Sequence, residues 1–163
     1  MTHTAVLCPM SGAGFDAYAA RAIPLLAEAQ ARAYGSSAQA ARASAEAAFR
    51  KIAADAEPAA SGQYLYTIES AGAQVGALWF ELRQAALDPY VYLYDWIIWP
   101  AYRGQGLGRA ALRLFEQRAR ELGARRIMLN VFDDNRFAAD LYRRYGFAPG
   151  SSILVKPIAP SDD

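Results

Sequence analysis

The chain has 163 residues, which is the length of one ordinary domain and enough to bury a sizeable core. Hydrophobic residues make up 54% of it and charged residues 20%, a composition typical of a globular protein and not of a disordered one. The net charge is +1, so no basic excess indicates nucleic-acid binding, and any anion site must be local.

The N-terminal third of the sequence predicts one strand and two helices. Residues 2–10 are a short apolar stretch that is typical of a strand. Residues 11–34 carry apolar side chains at helical spacing, and Pro24 within them predicts a kink or a break. Residues 38–56 are rich in alanine, which favours a second helix, and Phe49 and Ile52 give this helix a face for packing.

From residue 63 onward the apolar period becomes that of strands. Residues 63–70 and 74–82 flank the short loop 71–73, and together they predict a hairpin. Residues 90–99 carry large apolar side chains on both faces, which is typical of a central strand. The remaining predicted elements are an amphipathic helix at 105–122, a strand at 126–132, a helix at 135–145 and a last strand at 152–156.

This order of elements predicts an α/β fold. The strand, helix and strand between residues 90 and 132 indicate one parallel crossover inside a mixed sheet. We expect a single domain over residues 1–163, with an N-terminal helical part at 11–57 and a core at 63–157. The apolar stripe of the 105–122 helix is predicted to consist of Leu107, Ala111, Leu114, Phe115, Ala119 and Leu122.

The sequence offers few groups for nucleophilic or metal chemistry. Cys8 is its one cysteine and His3 its one histidine, so neither a disulfide nor a Cys–His pair nor a zinc site is expected. We interpret Cys8 as a small buried apolar residue. No secretory signal and no run of about 18 apolar residues is visible, so no membrane association is expected and a cytoplasmic location is the simplest.

The most informative segment is the glycine-rich loop between the 90–99 strand and the next helix, where Arg103 and Arg109 add positive charge. The amides at a helix N-terminus are unpaired donors, and glycines let a phosphate approach them closely. A nucleotide-binding P-loop needs a lysine that is absent here, and a dinucleotide fold needs its third glycine at position 109. The predicted anion site consists of Arg103, Gly104, Gln105, Gly106, Leu107, Gly108 and Arg109.

The spacing Arg103, Gly106, Gly108 resembles the pyrophosphate-binding signature of the GNAT superfamily of N-acetyltransferases, Gln/Arg-x-x-Gly-x-Gly/Ala. A second signature of that family, an Asn followed seven residues later by a Tyr and then by Gly-Phe, is similar to Asn135, Tyr142 and residues 146–147. The resemblance covers about residues 63–157. It implies an acyl-CoA N-acyltransferase fold with a mixed, mostly antiparallel central sheet flanked by helices.

The resemblance also implies a role for each matching residue. Residues 103–108 would hold the pyrophosphate of acetyl-CoA, and Asn135 would bond the cofactor arm. The strand end formed by Ile97, Ile98 and Trp99 would splay from its neighbour and pair with the pantetheine. Tyr142 would be the general acid for the leaving thiolate. The acceptor would be an amine that attacks directly, without metal, and similar enzymes are often homodimers.

The general base is left open by the sequence. Asp95 lies in an apolar run, where burial would raise its pKa toward the range useful for a base. The alternative is an Asp95 that bonds structural groups of a neighbouring element. Glu81 or a chain of water molecules could take its place. Similarly, Asn135 and Tyr142 could be a helix cap and a core residue.

Two alternatives to an enzyme with this activity stay open. The same fold could sense acetyl-CoA without turnover, although the intact signature residues argue against it. A nucleotide- or dinucleotide-binding enzyme is disfavoured by the missing lysine and glycine. The sequence does not specify the acceptor amine or the preferred acyl chain. The sheet aromatics are interpreted mainly as packing residues, and an unidentified subset of them could line an acceptor pocket.

Overall fold

The computed structural model describes residues 4–53, 61–84, 88–132 and 134–150. These residues fall into two compact units. The first is drawn from Met1–Tyr18 and Ile52–Asn130, and the second from Ala19–Lys51 and Val131–Asp163. The predicted last strand at 152–156, the end of the second helix beyond residue 53, and His3 lie outside the described residues.

The first unit contains a five-stranded sheet in the order β1-β2-β3-β4-β5. Its first three pairings are antiparallel, and β4 pairs with β5 in parallel. This confirms the predicted α/β fold with a mixed, mostly antiparallel sheet. The strands are β1 Val6–Pro9, β2 Gln63–Ser70, β3 Ala73–Arg83, β4 Tyr90–Ile98 and β5 Arg126–Leu129.

The β2–β3 hairpin closes on a loop of two residues, one shorter than predicted. Ala71 and Gly72 have φ angles of 50° and 78°, and Ser70 pairs with Ala73 directly after them. Two successive positive φ angles give the turn a twist that matches the twist of the flanking strands. Ala73 therefore belongs to β3 and not to the loop.

A β-bulge in β4 was not predicted. Asp95 pairs with Trp79, and Leu93 pairs with Phe80. Tyr94 is therefore an extra residue that has no pairing partner on β3. The parallel pairing with β5 covers Tyr90–Leu93 and ends there. A bulge bends its strand and disrupts the ladder. Among the described strands, the C-terminal half of β4 is paired only with β3.

Helix α3, Leu107–Glu121, covers one face of this sheet. The ring of Phe115 packs against the ring of Phe80 with centroids 4.8 Å apart, and both are almost fully buried. Arg118 donates from Nε to the Tyr66 hydroxyl at 3.0 Å. The predicted apolar stripe is confirmed at four positions, whereas Leu112 is buried and Leu114 and Leu122 are only half-buried.

The second unit holds most of two helices and all of a third. Helix α1 spans Gly12–Tyr34 and α2 spans Ala38–Ala53. Their small side chains Ala27, Ala41 and Ala45 form a buried cluster with Ile23 and Leu26 beside it. Alanine at the contact lets two helix backbones come close together. The third helix of the unit is α4, Arg136–Arg144.

Helix α1 continues through Pro24, so of the two outcomes predicted there, a kink or a break, the break is wrong. Proline has no N–H to donate to the carbonyl of Ala20 one turn earlier. Both Pro24 and Ala20 lie on the exposed side of the helix. Water can therefore bond the freed carbonyl, and the helix is not interrupted.

The half of β4 that follows the bulge lies close to β3 at Gly76, which pairs with Ile98. A Cβ atom at position 76 would lie 2.1 Å from the backbone oxygen of Ile97. Because this neighbour is backbone and not a flexible side chain, the two strands would have to move apart to accept it. Glycine at position 76 thus sets the spacing of these strands.

We therefore expect Gly76→Ala to lower the free energy of unfolding by ~1–3 kcal/mol, the usual cost of overpacking. Urea unfolding measures this change. Gly12→Ala is the matched control, because nothing lies within 4 Å of a Cβ at the start of α1. Equal stability of the two variants would show that the strands separate without cost.

Candidate functional site

The glycine-rich loop lies where the sequence predicts, between the end of β4 and the start of α3, in the first unit. A single 3₁₀ turn, Pro100–Tyr102, leads into it. Gly106 is the N-cap of α3 with φ 78°, and no side chain caps the helix there. The first amides of α3 are therefore left to external acceptors, and the helix dipole adds partial positive charge.

Arg103 closes this loop onto the strand before it. Its Nε donates to the backbone oxygen of Ile98 at 3.0 Å, and its backbone N–H bonds Pro100. The sequence suggested only a charge beside the phosphates. In the structure, this side chain also fixes the path of the chain from β4 into the loop.

The glycines of the loop serve different purposes. Gly106 has a positive φ angle, which an L side chain rarely adopts. Gly108 has an ordinary helical backbone, and a Cβ there would lie 3.5 Å from the Trp96 ring, which is a normal contact. The fold thus requires glycine at position 106 and not at position 108.

This difference predicts two stabilities. Gly106→Ala should lower the free energy of unfolding by ~1–2 kcal/mol, because a left-handed conformation costs an L residue about that much. Gly108→Ala should leave it unchanged within ~0.5 kcal/mol. Thermal melts of the two variants beside the parent chain measure both values. A larger loss at position 108 than at 106 would contradict this account of the loop.

The end of β4 carries Ile97, Ile98 and Trp99. The Trp99 N–H bonds the Val75 oxygen on β3 at 2.9 Å. Because backbone groups of a strand alternate in direction, the N–H and C=O of Ile98 are directed to the opposite edge. In the described strands, that edge has no β5 partner past Leu93. The splay that the resemblance implies stays a prediction.

Asp95 lies one residue after the bulge, and its carboxyl is enclosed. It accepts a hydrogen bond from the Tyr18 hydroxyl at 2.7 Å. Burial raises the pKa of Asp95, and the bonds from Tyr18 and from the backbone of Trp96 partly oppose that rise. Tyr18, in the N-terminal part of α1, is buried as well. No pattern in the sequence indicates this partner, which lies 77 residues away.

Glu81, the other carboxylate considered, is already engaged. Its Oε2 accepts from Arg83 Nε at 2.9 Å and from the Tyr94 hydroxyl at 2.6 Å. The Arg83 guanidinium also lies 4.5 Å from the centre of the Tyr92 ring. Glu81 is therefore held by a cation and a phenol, whereas the hydroxyl that donates to Asp95 is uncharged.

Asn135 and Tyr142 belong to the second unit. Asn135 is the N-cap of α4, and its Oδ1 accepts from the Ala138 N–H at 3.1 Å. The cap leaves the amide nitrogen of the side chain as a donor. Seven residues are about two helical turns, so Tyr142 lies on the same side of α4. The Tyr142 ring packs edge-on against Phe147 with centroids 5.4 Å apart.

The described residues contain no group of three His, Cys, Asp or Glu that could hold a metal ion. Within residues 4–53, 61–84, 88–132 and 134–150, no helix has the length and apolar character that crossing a bilayer requires. Cys8 is half-buried on the edge strand β1, more exposed than predicted, and burial and Glu69 raise the pKa of its thiol.

Comparison with known proteins identifies the family. The profile of the Acetyltransferase (GNAT) family matches residues 25–147. The chain therefore belongs to this family, which confirms the resemblance seen in the two signatures.

Individual relatives agree with this assignment. The chain is 36% identical over 89 residues to the uncharacterized N-acetyltransferase YdgE of Bacillus subtilis, covering 54% of this chain and 57% of YdgE. It is 32% identical over 84 residues to the uncharacterized N-acetyltransferase YycN of the same organism, covering 52% and 54%. The chain thus spans about half the length of these relatives in sequence. The crystal structure of YycN superposes with a TM-score of 0.84 at 25% identity, covering 96% of this chain and all of that one.

Proposed function

We propose that the chain transfers the acetyl group of acetyl-CoA directly to an amine. The observation that supports this proposal is the N-terminus of α3, which begins after Gly106 without a side-chain cap. It follows the end of β4 that is not paired with β5. Acetyl-CoA supplies an activated thioester and a pyrophosphate. A row of unpaired amides with two nearby arginines, Arg103 and Arg109, suits that pyrophosphate.

Residues of the first unit would bind the cofactor mainly through their backbones. The amides of residues 104–109 would bond the pyrophosphate oxygens. The outward groups of Ile98 would pair with the pantetheine amides as a missing strand would, with Ile97 and Trp99 flanking them. A bound arm that uses the Ile98 carbonyl would compete with Arg103 Nε for it. That competition would release the guanidinium toward the phosphates.

For the reaction itself, we propose Asp95 as general base and Tyr142 as general acid. Asp95 would accept a proton from the acceptor ammonium, directly or through one water molecule, which leaves a neutral amine. The amine would form the new C–N bond at the acetyl carbon, and as the C–S bond breaks, Tyr142 would give its hydroxyl proton to the leaving thiolate. The amide nitrogen would then lose its extra proton, which restores the Tyr142 hydroxyl directly or through water. Asp95 would release its own proton to the solvent.

Ligand binding is the first test. In a thermal-shift experiment, acetyl-CoA and coenzyme A should raise the melting temperature, whereas ATP and NAD should not. A ligand that binds the folded state stabilises it by ~2.7 kcal/mol at a hundredfold excess over its dissociation constant. An absent shift with both coenzymes at millimolar concentration would mean that the loop is not a pyrophosphate site. Thiol release with a panel of amines then identifies the acceptor.

Tyr142→Phe tests the general acid. We expect kcat to fall by ~10²–10⁴-fold, the usual contribution of a general acid, with little change in the Kd of acetyl-CoA. Tyr145→Phe is the matched control in the same segment and should keep full turnover. Undiminished kcat in Tyr142→Phe would remove this role. Tight coenzyme binding without turnover on any amine in the parent chain would instead favour the acetyl-CoA sensor.

Asn135→Ser separates the two roles of that residue. Serine caps helices about as well as asparagine, so the free energy of unfolding should change by less than ~0.5 kcal/mol. Its short hydroxyl cannot reach as far as the amide, so the Kd of coenzyme A should rise about three- to tenfold, the loss expected for one hydrogen bond. Asn135→Ala should lower both stability and affinity. An unchanged Kd in the serine variant would assign Asn135 to capping alone.

A cytoplasmic location and a homodimer were expected from the sequence and the resemblance, and both stay predictions. The acceptor amine is to be found by the thiol-release screen.

A further inference from the structure

Asp95 and Tyr18 form a hydrogen-bonded pair, and burial of the Asp95 carboxylate in this pair costs free energy. A carboxylate that leaves water is destabilised unless donors compensate it. Here the compensation comes from two donors, the Tyr18 hydroxyl and the Trp96 backbone. The hydroxyl is the only one of the two that a substitution can remove without changing the strand.

The surroundings of the pair make Tyr18 the side chain that acts on Asp95. Among the described residues of the first unit, the charges on the neighbouring strand are occupied with each other. Glu81 is bonded to Arg83, and the hydroxyl of Tyr94 bonds both. Trp79, opposite Asp95 on β3, carries no charge, and its indole N–H donates to Gln63.

Tyr18 is also suited to stay a donor. Burial and the neighbouring Asp95 carboxylate hold the pKa of its phenol well above the ordinary value. The hydroxyl therefore keeps its proton over the whole range in which a carboxyl titrates. Its bond to Oδ2 fixes the rotation of the carboxyl group as well as favouring its charged form.

We propose that Tyr18 is a positioning residue that keeps Asp95 ionised and correctly oriented to accept the proton of the acceptor ammonium. This proposal rests on the proposed acetyl transfer. The proton leaves the ammonium nitrogen and joins a carboxylate oxygen of Asp95, while the Tyr18 O–H bond stays intact throughout. Tyr18 acts through Asp95 and does not touch the substrate.

The test compares Tyr18→Phe with the parent chain in two measurements. One is the ¹³C NMR titration of the carboxyl of Asp95, assigned by its disappearance in Asp95→Asn. The other is the pH profile of kcat/KM with acetyl-CoA and the amine found in the acceptor screen. Without its donor, the carboxylate is disfavoured, so the NMR midpoint should move to higher pH. The acidic limb of kcat/KM should move with it by the same amount, and activity should recover at higher pH.

Stability gives a third readout with a defined sign. A raised pKa in the folded state means that the folded chain holds its proton more tightly than the unfolded chain. The free energy of unfolding therefore falls as pH rises from the ordinary carboxyl pKa through the raised one. Tyr18→Phe should make this decrease in the free energy of unfolding larger. The difference in the free energy of unfolding between the variant and the parent chain should therefore grow with pH. In an Asp95→Asn background, the same substitution should lose this pH dependence.

The outcomes separate the proposals. Tyr34→Phe, near the exposed end of the same helix, is the control and should change none of the three readouts. An unmoved NMR midpoint in a folded Tyr18→Phe would overturn the proposal. A moved midpoint with an unmoved kcat/KM limb would remove Asp95 as the base, and with it the catalytic purpose of Tyr18. No acetyl transfer by the parent chain would refute the proposed function, while the NMR shift would still report whether Tyr18 sets the ionisation of Asp95.

Discussion

The hydrogen-bonded pairing of β4 with β3 and β5 is the constraint on which the rest of the first unit depends. Within the part of the chain that the structure describes, β4 is paired on both edges over Tyr90–Leu93 and on one edge from the bulge at Tyr94 onward. A sheet interior normally satisfies every backbone donor and acceptor, so a strand half left open is stable only where another group can bond it. Gly76 lets β3 hold this half closely enough to keep it extended without β5.

The same end of β4 determines where the loop and α3 begin. The 3₁₀ turn and the bond from Arg103 to Ile98 direct the chain from the strand into the loop. Gly106 then starts α3 without a side-chain cap, and burial of Leu107, Phe115 and their neighbours holds the helix against the sheet. Packing energy thus fixes a helix whose first amides are unsatisfied, and this is what an anion site needs.

A buried carboxylate beside an open strand end also has to be compensated. At Asp95 the bulge brings the side chain into contact with Tyr18 from α1, and two donors offset part of the cost of burial. At Glu81 an arginine neutralises the charge instead. The two carboxylates on neighbouring strands are therefore chemically different. Among the described residues, the donors to Asp95 are uncharged, whereas Glu81 is paired with a cation.

The sequence by itself determined the elements and the family. Three properties are local and can be read without the fold. They are the order of strands and helices, the spacing of Arg103, Gly106 and Gly108, and the spacing of Asn135 and Tyr142. Family membership follows from these two signatures and agrees with the comparison with known proteins. Whether Pro24 kinks or breaks α1 was left open by the sequence, because the effect of a proline depends on which side of the helix meets water.

Only the tertiary structure decided the environment of each carboxylate. The contact of Tyr18 with Asp95 joins residues 77 positions apart, and no local pattern encodes it. The bulge at Tyr94 is invisible in an apolar run, because an extra residue changes the pairing and not the composition. The bond from Arg103 to Ile98 depends on the turn between β4 and α3, and sequence spacing does not specify it. The cap made by Asn135, in contrast, is a local bond that the sequence already offered as an alternative.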